Sequence, residues 1–430
     1  MTVFSSRRSA LSGIGFFRIW AGESVSLIGA QVTLFALPLV AVLSLHATAF
    51  DMGLLTAAGS LAVVLFAPSL GVLADRYERR RTMLVTNIGR AVALLAVPVA
   101  YLTGVLNLPL LIVVAFCVGA LSLLFDSAMS SYVPALVGPA RLVAANSWMQ
   151  SSVSVADTAG PGLAGLLVQL LGAPLAIVAD AFSYVVSSLA LLRSAPVRTS
   201  IDHEDELHWQ AVKRGLRVVL TDRVQRPLVL AAAHFNLFTA VFFTLYLLFL
   251  VRTLHFHPLL IGLLNVAGGV AGLFGAGISA RLAERFGYGP VLTVAYALPG
   301  MAALLVPLAV LAPPIGSAVL VSLSSAVWSG SVVVNLILSE SIKQALVPHD
   351  LLGRATSVIR FVSFGVEPVG ALLGSGLVAA GLGLGGTLTL ASVGVGTSAV
   401  WLLVSRVSTL RQVATVPAVT AITVALAEDG

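Results

Sequence analysis

Five acids stand inside apolar stretches of this chain: Glu23, Asp126, Asp157, Asp180 and Glu367. An ionisable side chain in a lipid-compatible run is costly, and its default reading is functional. The chemistry open to a lone carboxyl is uptake and release of a proton. Glu23 follows Arg18 by five residues, so it reads either as a titrating carboxyl or as a shallow side chain reaching back to the interface. Asp126 would cap a loop or pair with Arg90. Asp157 and Glu367 lie near Pro161 and Pro368, where bends are expected. A structural role is as open to those two as proton coupling. Asp180 reads as structural.

A second concentration of charge is GVLADRYERRR at residues 71–81, where six of the seven residues from Asp75 to Arg81 are charged. The whole chain is only 10% charged and is 58% hydrophobic, with a mean hydropathy of +1.02. Soluble domains run at roughly 25% charged. No sequence GxxxxGK[ST] marks a phosphate loop. The seven histidines are scattered, and His255 with His257 lacks a cysteine partner, so no metal and no cofactor are expected. The single Cys117 rules out an intrachain disulfide. No Ser-His-Asp or metal-spaced set points to an enzyme.

The elements that must carry these residues are membrane helices. The apolar runs are continuous and 20–28 residues long, without the alternation of a barrel strand. Twelve spans are expected, at 17–44, 51–74, 84–104, 108–132, 146–171, 173–195, 227–251, 258–283, 288–312, 314–338, 355–381 and 385–407. With both termini cytoplasmic, 23 of the 24 Lys and Arg residues fall inside, counting Arg90 and Arg360 as snorkelling out of helices, and only Arg252 falls outside. The net charge of +6 is thus a topology signal, and nucleic-acid binding is a poor reading.

The polar stretch 196–226 divides a six-helix bundle at 1–195 from another at 227–407, with a tail at 408–430. Within it, ELHWQAVKRGLRVVL has the spacing of an amphipathic surface helix. ALVGPARLVAAN from Ala135 and ALVPHDLLGRAT from Ala345 repeat at an offset of 210 residues. A parallel repeat of this kind is common in transporters, with the substrate site where the repeats meet. Gly268-x-x-x-Gly272 and Gly370-x-x-x-Gly374 read as close-packing faces.

The loop Gly71-x-x-x-Asp75-Arg76 with Arg79 and Arg80 resembles the signature loop of the major facilitator superfamily. Further segments resemble its bacterial exporter branch, the one that includes enterobactin and macrolide exporters. They include FFRIWAGESVSLIGAQVTLFALPL, YVPALVGPARLVAANS, ADAFSYVVSSLALL and QALVPHDLLGRATSVIRF. The resemblance implies that Asp75, misplaced at the negative end of its own helix, docks on the start of span eleven near Arg354 and closes a cytoplasmic gate. Arg79, Arg80 and Arg81 would set topology and touch anionic headgroups. The loop after span eight has Arg281 where the second aspartate would stand, so the gate would be asymmetric. Gly160, Pro161 and Gly165 resemble the antiporter motif of drug exporters. Spans one, four, seven and ten would line a cavity, with Gln31, Asn236, Phe242, Phe243, Tyr246, Trp328 and Asn335 facing a bulky, partly hydrophobic compound.

The expected function is export of a drug or secondary metabolite, driven by protons through alternating access in a bacterial inner membrane. A monomer is expected, whose partners are a small molecule, protons and lipid. A siderophore exporter is the alternative, and a lipid flippase or membrane enzyme stands behind it.

Overall fold

Backbone N–H and C=O groups find no partner in hydrocarbon, so an apolar chain of this length satisfies them within helices. The computed structural model describes residues 2–66, 78–138, 141–194, 221–347 and 352–411, and these are helices joined by short turns. The first six are α1 (Thr2–Leu39, continued by a π-helical turn Val40–Ser44), α2 (Ala49–Phe66), α3 (Arg79–Leu102), α4 (Leu108–Val137), α5 (Leu142–Leu171) and α6 (Ala173–Leu192). There follow α7 (Gln225–Arg252), α8 (Pro258–Phe286), α9 (Tyr288–Ala303), α10 (Pro314–Leu346), α11 (Leu352–Phe364), α12 (Glu367–Leu377) and α13 (Gly383–Thr397). The region 195–220, with the expected amphipathic helix, lies outside the described residues, as do Gly71, Asp75 and Arg76.

Eleven helical stretches among the described residues are long and apolar enough to cross a membrane. The last, Val358–Leu403, has 46 residues. Straight, it would reach about 69 Å at 1.5 Å per residue, over twice the hydrocarbon thickness of about 30 Å. It is not straight: Gly381 (φ +97°) and Gly383 (φ +71°) break it, and only glycine adopts such angles at little cost.

The ends of the helices are set locally. Asn107 caps α4, its side chain accepting from the Leu110 N–H at 3.0 Å, with Pro109 in the first turn. Gly172 (φ +81°) turns α5 directly into α6. After α1 the chain leaves through His46 (φ +52°), and after α7 through His255 (φ +57°). The flanking bonds repeat as well: Ala47 N–H to Ala41 O and Phe256 N–H to Leu250 O, both 2.9 Å. These are Schellman-like endings 209 residues apart, a second sign of the internal repeat.

The described residues fall into two compact units. The first holds those before residue 205 together with Thr244–Gly269, and the second holds the rest. In the first, α1 packs on α5 and α6, and α3 packs on α4 and α6. Its core gathers Phe16, Ile19, Met83, Phe125, Tyr132 and Leu191. Glycines let α1 approach α6: a Cβ on Gly22 would meet the Ala190 Cβ at 2.7 Å. The second unit packs α9 on α10 and α13 around Phe235, Leu292, Tyr296, Val334 and Leu402. There Gly370 and Gly374 of α12 lie against Ala240 and Val241 of α7, as the small-residue spacing implied.

Two expectations fail. The helix does not break at Pro161: α5 runs through it. Arg90 does not snorkel to a surface. It is 5% exposed, because α3 turns it between α4 and α6 rather than outward.

Candidate functional site

The interior of the first unit holds a polar cluster in an otherwise apolar bundle. Arg90 of α3 lies between two rings, its guanidinium carbon 4.3 Å from the Phe125 centroid and 4.2 Å from that of Tyr184. Such cation–π contacts gain strength when desolvated. Arg90 donates to the Asn87 carboxamide oxygen and, at 3.3 Å, to Ser122 Oγ. Asn87 donates to Ser187 Oγ at 3.0 Å, and Ser187 donates to Glu23 at 3.5 Å. The Arg90 Nε is buried with no hydrogen-bond partner. Asp180 of α6 lies within electrostatic reach of the same guanidinium. It accepts from the hydroxyls of Thr33 and Ser183. Glu23 lies within the same reach and is 8% exposed, so it does not extend to the interface.

Asn87 is not singled out by its type, and Arg90 is read from the sequence only as a snorkelling cation or a partner for Asp126. The signal was present: an amide and a guanidinium three residues apart share one helix face inside an apolar run.

Asp157 meets another expected residue. The Gln31 Nε2 donates to its carboxylate at 2.7 Å, joining α1 to α5. Gly160 makes this possible, since a Cβ there would meet Gln31 Cβ and Cγ at 2.6 Å. The rest of the antiporter-like motif faces α8. A Cβ on Gly165 would meet Pro258 O at 2.8 Å and the Gly262 Cα at 3.0 Å. The motif is therefore a backbone-to-backbone crossing of α5 and α8. Asp126 is exposed on α4.

In the second unit, Phe242 and Trp328 stack with centroids 5.6 Å apart and planes at 17°. Phe243 meets Trp328 edge-on at 5.2 Å. Phe243 is the exposed member at 47%, whereas Phe242 and Asn335 are buried, as is Tyr246 in the first unit. Asn335 accepts from Ser339 at 2.9 Å. Asn236 donates to Ser363 O at 2.9 Å, the carbonyl next to the break between α11 and α12. Glu367 is half-buried in the first turn of α12, where a carboxylate complements the helix dipole. His234 of α7 was not anticipated. Its Nε2–H donates to Gly394 O at 2.9 Å, and its Nδ1 accepts from the Trp401 indole at 3.2 Å.

The arginines after Asp75 have bonds of their own. Arg80 donates to Leu191 O at 2.9 Å and to Leu192 O at 2.7 Å, and Arg18 donates to Arg193 O at 3.0 Å. Arg79 donates to Ser131 O at 3.2 Å. Arg18 and Arg80 thus cap the carbonyl end of α6, where cations are favoured. Arg354 lies in the first turn of α11. Among the described residues, no group of three His, Cys, Asp or Glu could hold a metal.

Known proteins bear on this arrangement. The chain is 25% identical over 210 residues to macrolide efflux protein A of Streptococcus pyogenes, covering 47% of this chain and 51% of that protein. It is 28% identical over 241 residues to the multidrug efflux pump Tap of Mycolicibacterium fortuitum, covering 53% and 56%. The chain thus spans about half the length of the curated relatives it matches. A crystal structure of a bacterial homologue of the iron transporter ferroportin, in an inward-facing state, superposes with a TM-score of 0.71. That match covers 90% of this chain and 98% of that one at 16% identity, a likeness of fold. The family profile described as Major Facilitator Superfamily matches residues 19–371, most of the chain. With its apolar helices and transporter relatives, this chain belongs to the major facilitator superfamily of membrane transporters.

Proposed function

We propose that the protein exports a hydrophobic or amphipathic small molecule by alternating access, in exchange for protons. The observation that carries this is the charge count around Arg90: two buried carboxyls, Glu23 and Asp180, lie in reach of one guanidinium. An uncompensated charge in low dielectric is costly, and Asp126 of α4 also acts on Glu23, so the buried set takes up at least one proton. Asp180 has two hydroxyl donors. Glu23 has one contact at 3.5 Å, so Glu23 is the carboxyl that gains and loses the proton. The direction of transport is inferred from the efflux relatives, and the Phe243–Trp328 surface suits an apolar substrate.

The same reading takes the broken stretch Val358–Leu403 as two crossings, making twelve in two six-helix halves at 1–195 and 227–407. It places both termini in the cytoplasm of a bacterial cell, the protein acting as a monomer in the inner membrane. Gly71, Asp75 and Arg76, with the start of α11 at Arg354, would close the cytoplasmic side.

Proteoliposomes with an imposed pH gradient and ethidium as the transported probe test this. Uphill movement should follow the gradient and collapse with a protonophore. Glu23→Gln should lose uphill movement and keep downhill exchange. Normal uphill movement in that variant would remove Glu23 from the mechanism, and gradient-independent movement in the wild type would remove antiport.

A further inference from the structure

The break between α11 and α12 gathers oxygen atoms that the transport mechanism leaves unused. Gly365 and Val366 separate the two helices, and Pro368 follows. A proline has no N–H, so the Phe364 carbonyl four residues back loses the donor that a helix would give it. The Ser363 carbonyl is held by Asn236 of α7, whose Nδ2 donates to it at 2.9 Å. That bond uses the nitrogen end of the carboxamide and leaves its Oδ1 open. The Ser363 hydroxyl is only 3% exposed and has no hydrogen-bond partner among the described residues. Thr239 Oγ1, one turn from Asn236 on α7, is also buried and unpartnered among them. A hydroxyl inside a helix usually donates to the carbonyl one turn back, as Ser375 and Ser392 do here at 2.7 Å. Ser363 and Thr239 do not, and a buried polar atom left so calls for a partner.

These atoms share one turn. In an unbroken helix the Glu367 N–H would reach the Ser363 carbonyl, the atom that Asn236 holds, so the carboxamide lies beside the start of α12. Helical side chains lean toward the N-terminus, which carries the Glu367 carboxyl back over the break. Gly370, three residues on, packs on Leu237 O and Ala240, so α7 and α12 touch there. Asn236 lies ten residues from Arg226 and sixteen from Arg252, about 15 and 24 Å along α7. The headgroup layer is roughly 5–8 Å deep, so the junction stands at hydrocarbon depth.

Glu367 is half-buried, with no ion-pair or hydrogen-bond partner among the described residues. Arg360, two turns earlier, is exposed. The dipole of α12 that favours Glu367 is opposed across the break by the negative end of α11, so the carboxylate keeps most of its charge uncompensated. Such a charge is costly at this depth. One monovalent cation balances it, whereas a divalent ion would leave a positive charge behind. A proton would settle the charge but leave the hydroxyl, amide and carbonyl oxygens facing one another with nothing between them. Those oxygens are the ligands that hard cations take, and no trio of His, Cys, Asp or Glu is needed. Unwound carbonyls and the C-terminal ends of half-helices hold sodium in other broken membrane helices.

We infer that the junction of α11 and α12 is a binding site for one monovalent cation, sodium, held by the Glu367 carboxylate, the Ser363 hydroxyl, the Phe364 carbonyl and Asn236 Oδ1, with Thr239 beside them. Oxygens drawn from adjacent turns make a small shell, and the size and number of coordinating oxygens set selectivity, so sodium is preferred to potassium. The inference does not rest on the exporter reading, since every one of these residues belongs to the second unit. A bound ion would tie α7 to the break.

The purified full chain in detergent, at one pH and constant ionic strength, tests this with salts alone. Sodium chloride at about 150 mM should raise the Tm by about 4 °C over choline chloride, and potassium chloride by less. Radioactive sodium should saturate at one ion per chain. Glu367→Gln and Ser363→Ala should each weaken sodium binding about tenfold or more and lose the sodium-dependent part of the Tm. Cooperative unfolding in choline shows that a variant is folded; if Glu367→Gln lacks it, Ser363→Ala, which removes one oxygen, decides. The same Tm in sodium and choline overturns the inference. So does equal stabilisation by potassium, or sodium binding that survives either substitution in a folded chain.

Discussion

Gly262→Ala is a small change with a calculable consequence. The added Cβ would meet Pro161 O at 2.5 Å, the Gly165 Cα at 3.0 Å and the Gly165 N at 3.2 Å. Ordinary contacts of this kind begin near 3.4 Å. The nearest contact therefore falls about 0.9 Å short, and none of the three atoms is the tip of a flexible side chain. α5 and α8 must separate, or their backbones must bend. Overpacking of this size costs about 1–3 kcal/mol. If alternating access breaks this crossing in one state and keeps it in the other, the packed state loses about 5–150-fold in population. Spin labels at the exposed Leu170 of α5 and Leu263 of α8, in a chain with Cys117 replaced by serine, would read this as a shift toward longer distances. Transport should slow, because one state of the cycle becomes rare. An unchanged distance distribution with unchanged turnover would show that the crossing is a static joint and refute the reasoning.

Further outcomes follow from the same contacts. Arg90→Met should destabilise the first unit by about 3 kcal/mol, since removing one member of a buried charged set leaves the others uncompensated. Adding Asp180→Asn, which removes the carboxylate that Arg90 compensates, should recover at least 1 kcal/mol, as thermal unfolding in detergent would show. Additive losses would mean that the two groups do not interact. Arg80→Ala should cost about 1–2 kcal/mol through the carbonyls of Leu191 and Leu192, and lysine should not restore it, because a single ammonium lacks the fork. Equal stability of the alanine and wild-type proteins would return Arg80 to the role of a topology signal. Asp75→Asn should slow transport without misorienting the chain; cysteine labelling of the termini and a transport assay separate the two, and unchanged turnover would sink the gate.

The fold was legible because bilayer physics leaves few options. Apolar runs of 20 or more residues must be helices, and Gly172, His46 and His255 mark where they end. Depth along a helix was readable, but the direction in which a residue faces was not. Depth alone sends Arg90 outward, whereas its shared face with Asn87 turns it inward against Phe125 and Tyr184. Phe242, Phe243 and Trp328 are expected on two helices that line one cavity, and their rings do meet. His234 was missed because Gly394 and Trp401 lie some 160 residues away and leave no local trace.

The repeat and the chemistry diverge in an instructive way. Asp157 and Glu367 stand 210 residues apart, at corresponding points of the repeat. Each has an amide near it from the first helix of its own half: Gln31 bonds the Asp157 carboxylate, and Asn236 bonds Ser363 O, four residues before Glu367. The difference follows from the backbone. α5 is continuous at its acid, so the amide meets the side chain. The other helix is broken between α11 and α12, so the amide is taken up by a carbonyl beside the break. Glu367 is then left to the dipole of α12. The same divergence runs through the two units. Among the described residues, Glu23, Asp180 and Arg90 are buried in the first, whereas the charged side chain buried in the second, Lys343, bonds Glu340 one turn away. A duplicated scaffold thus carries unlike loads, with ionisable groups gathered in one unit and the stacked aromatics Phe242 and Trp328 in the other. Mutations that probe proton movement and mutations that probe substrate contact should therefore separate by unit rather than by depth in the membrane.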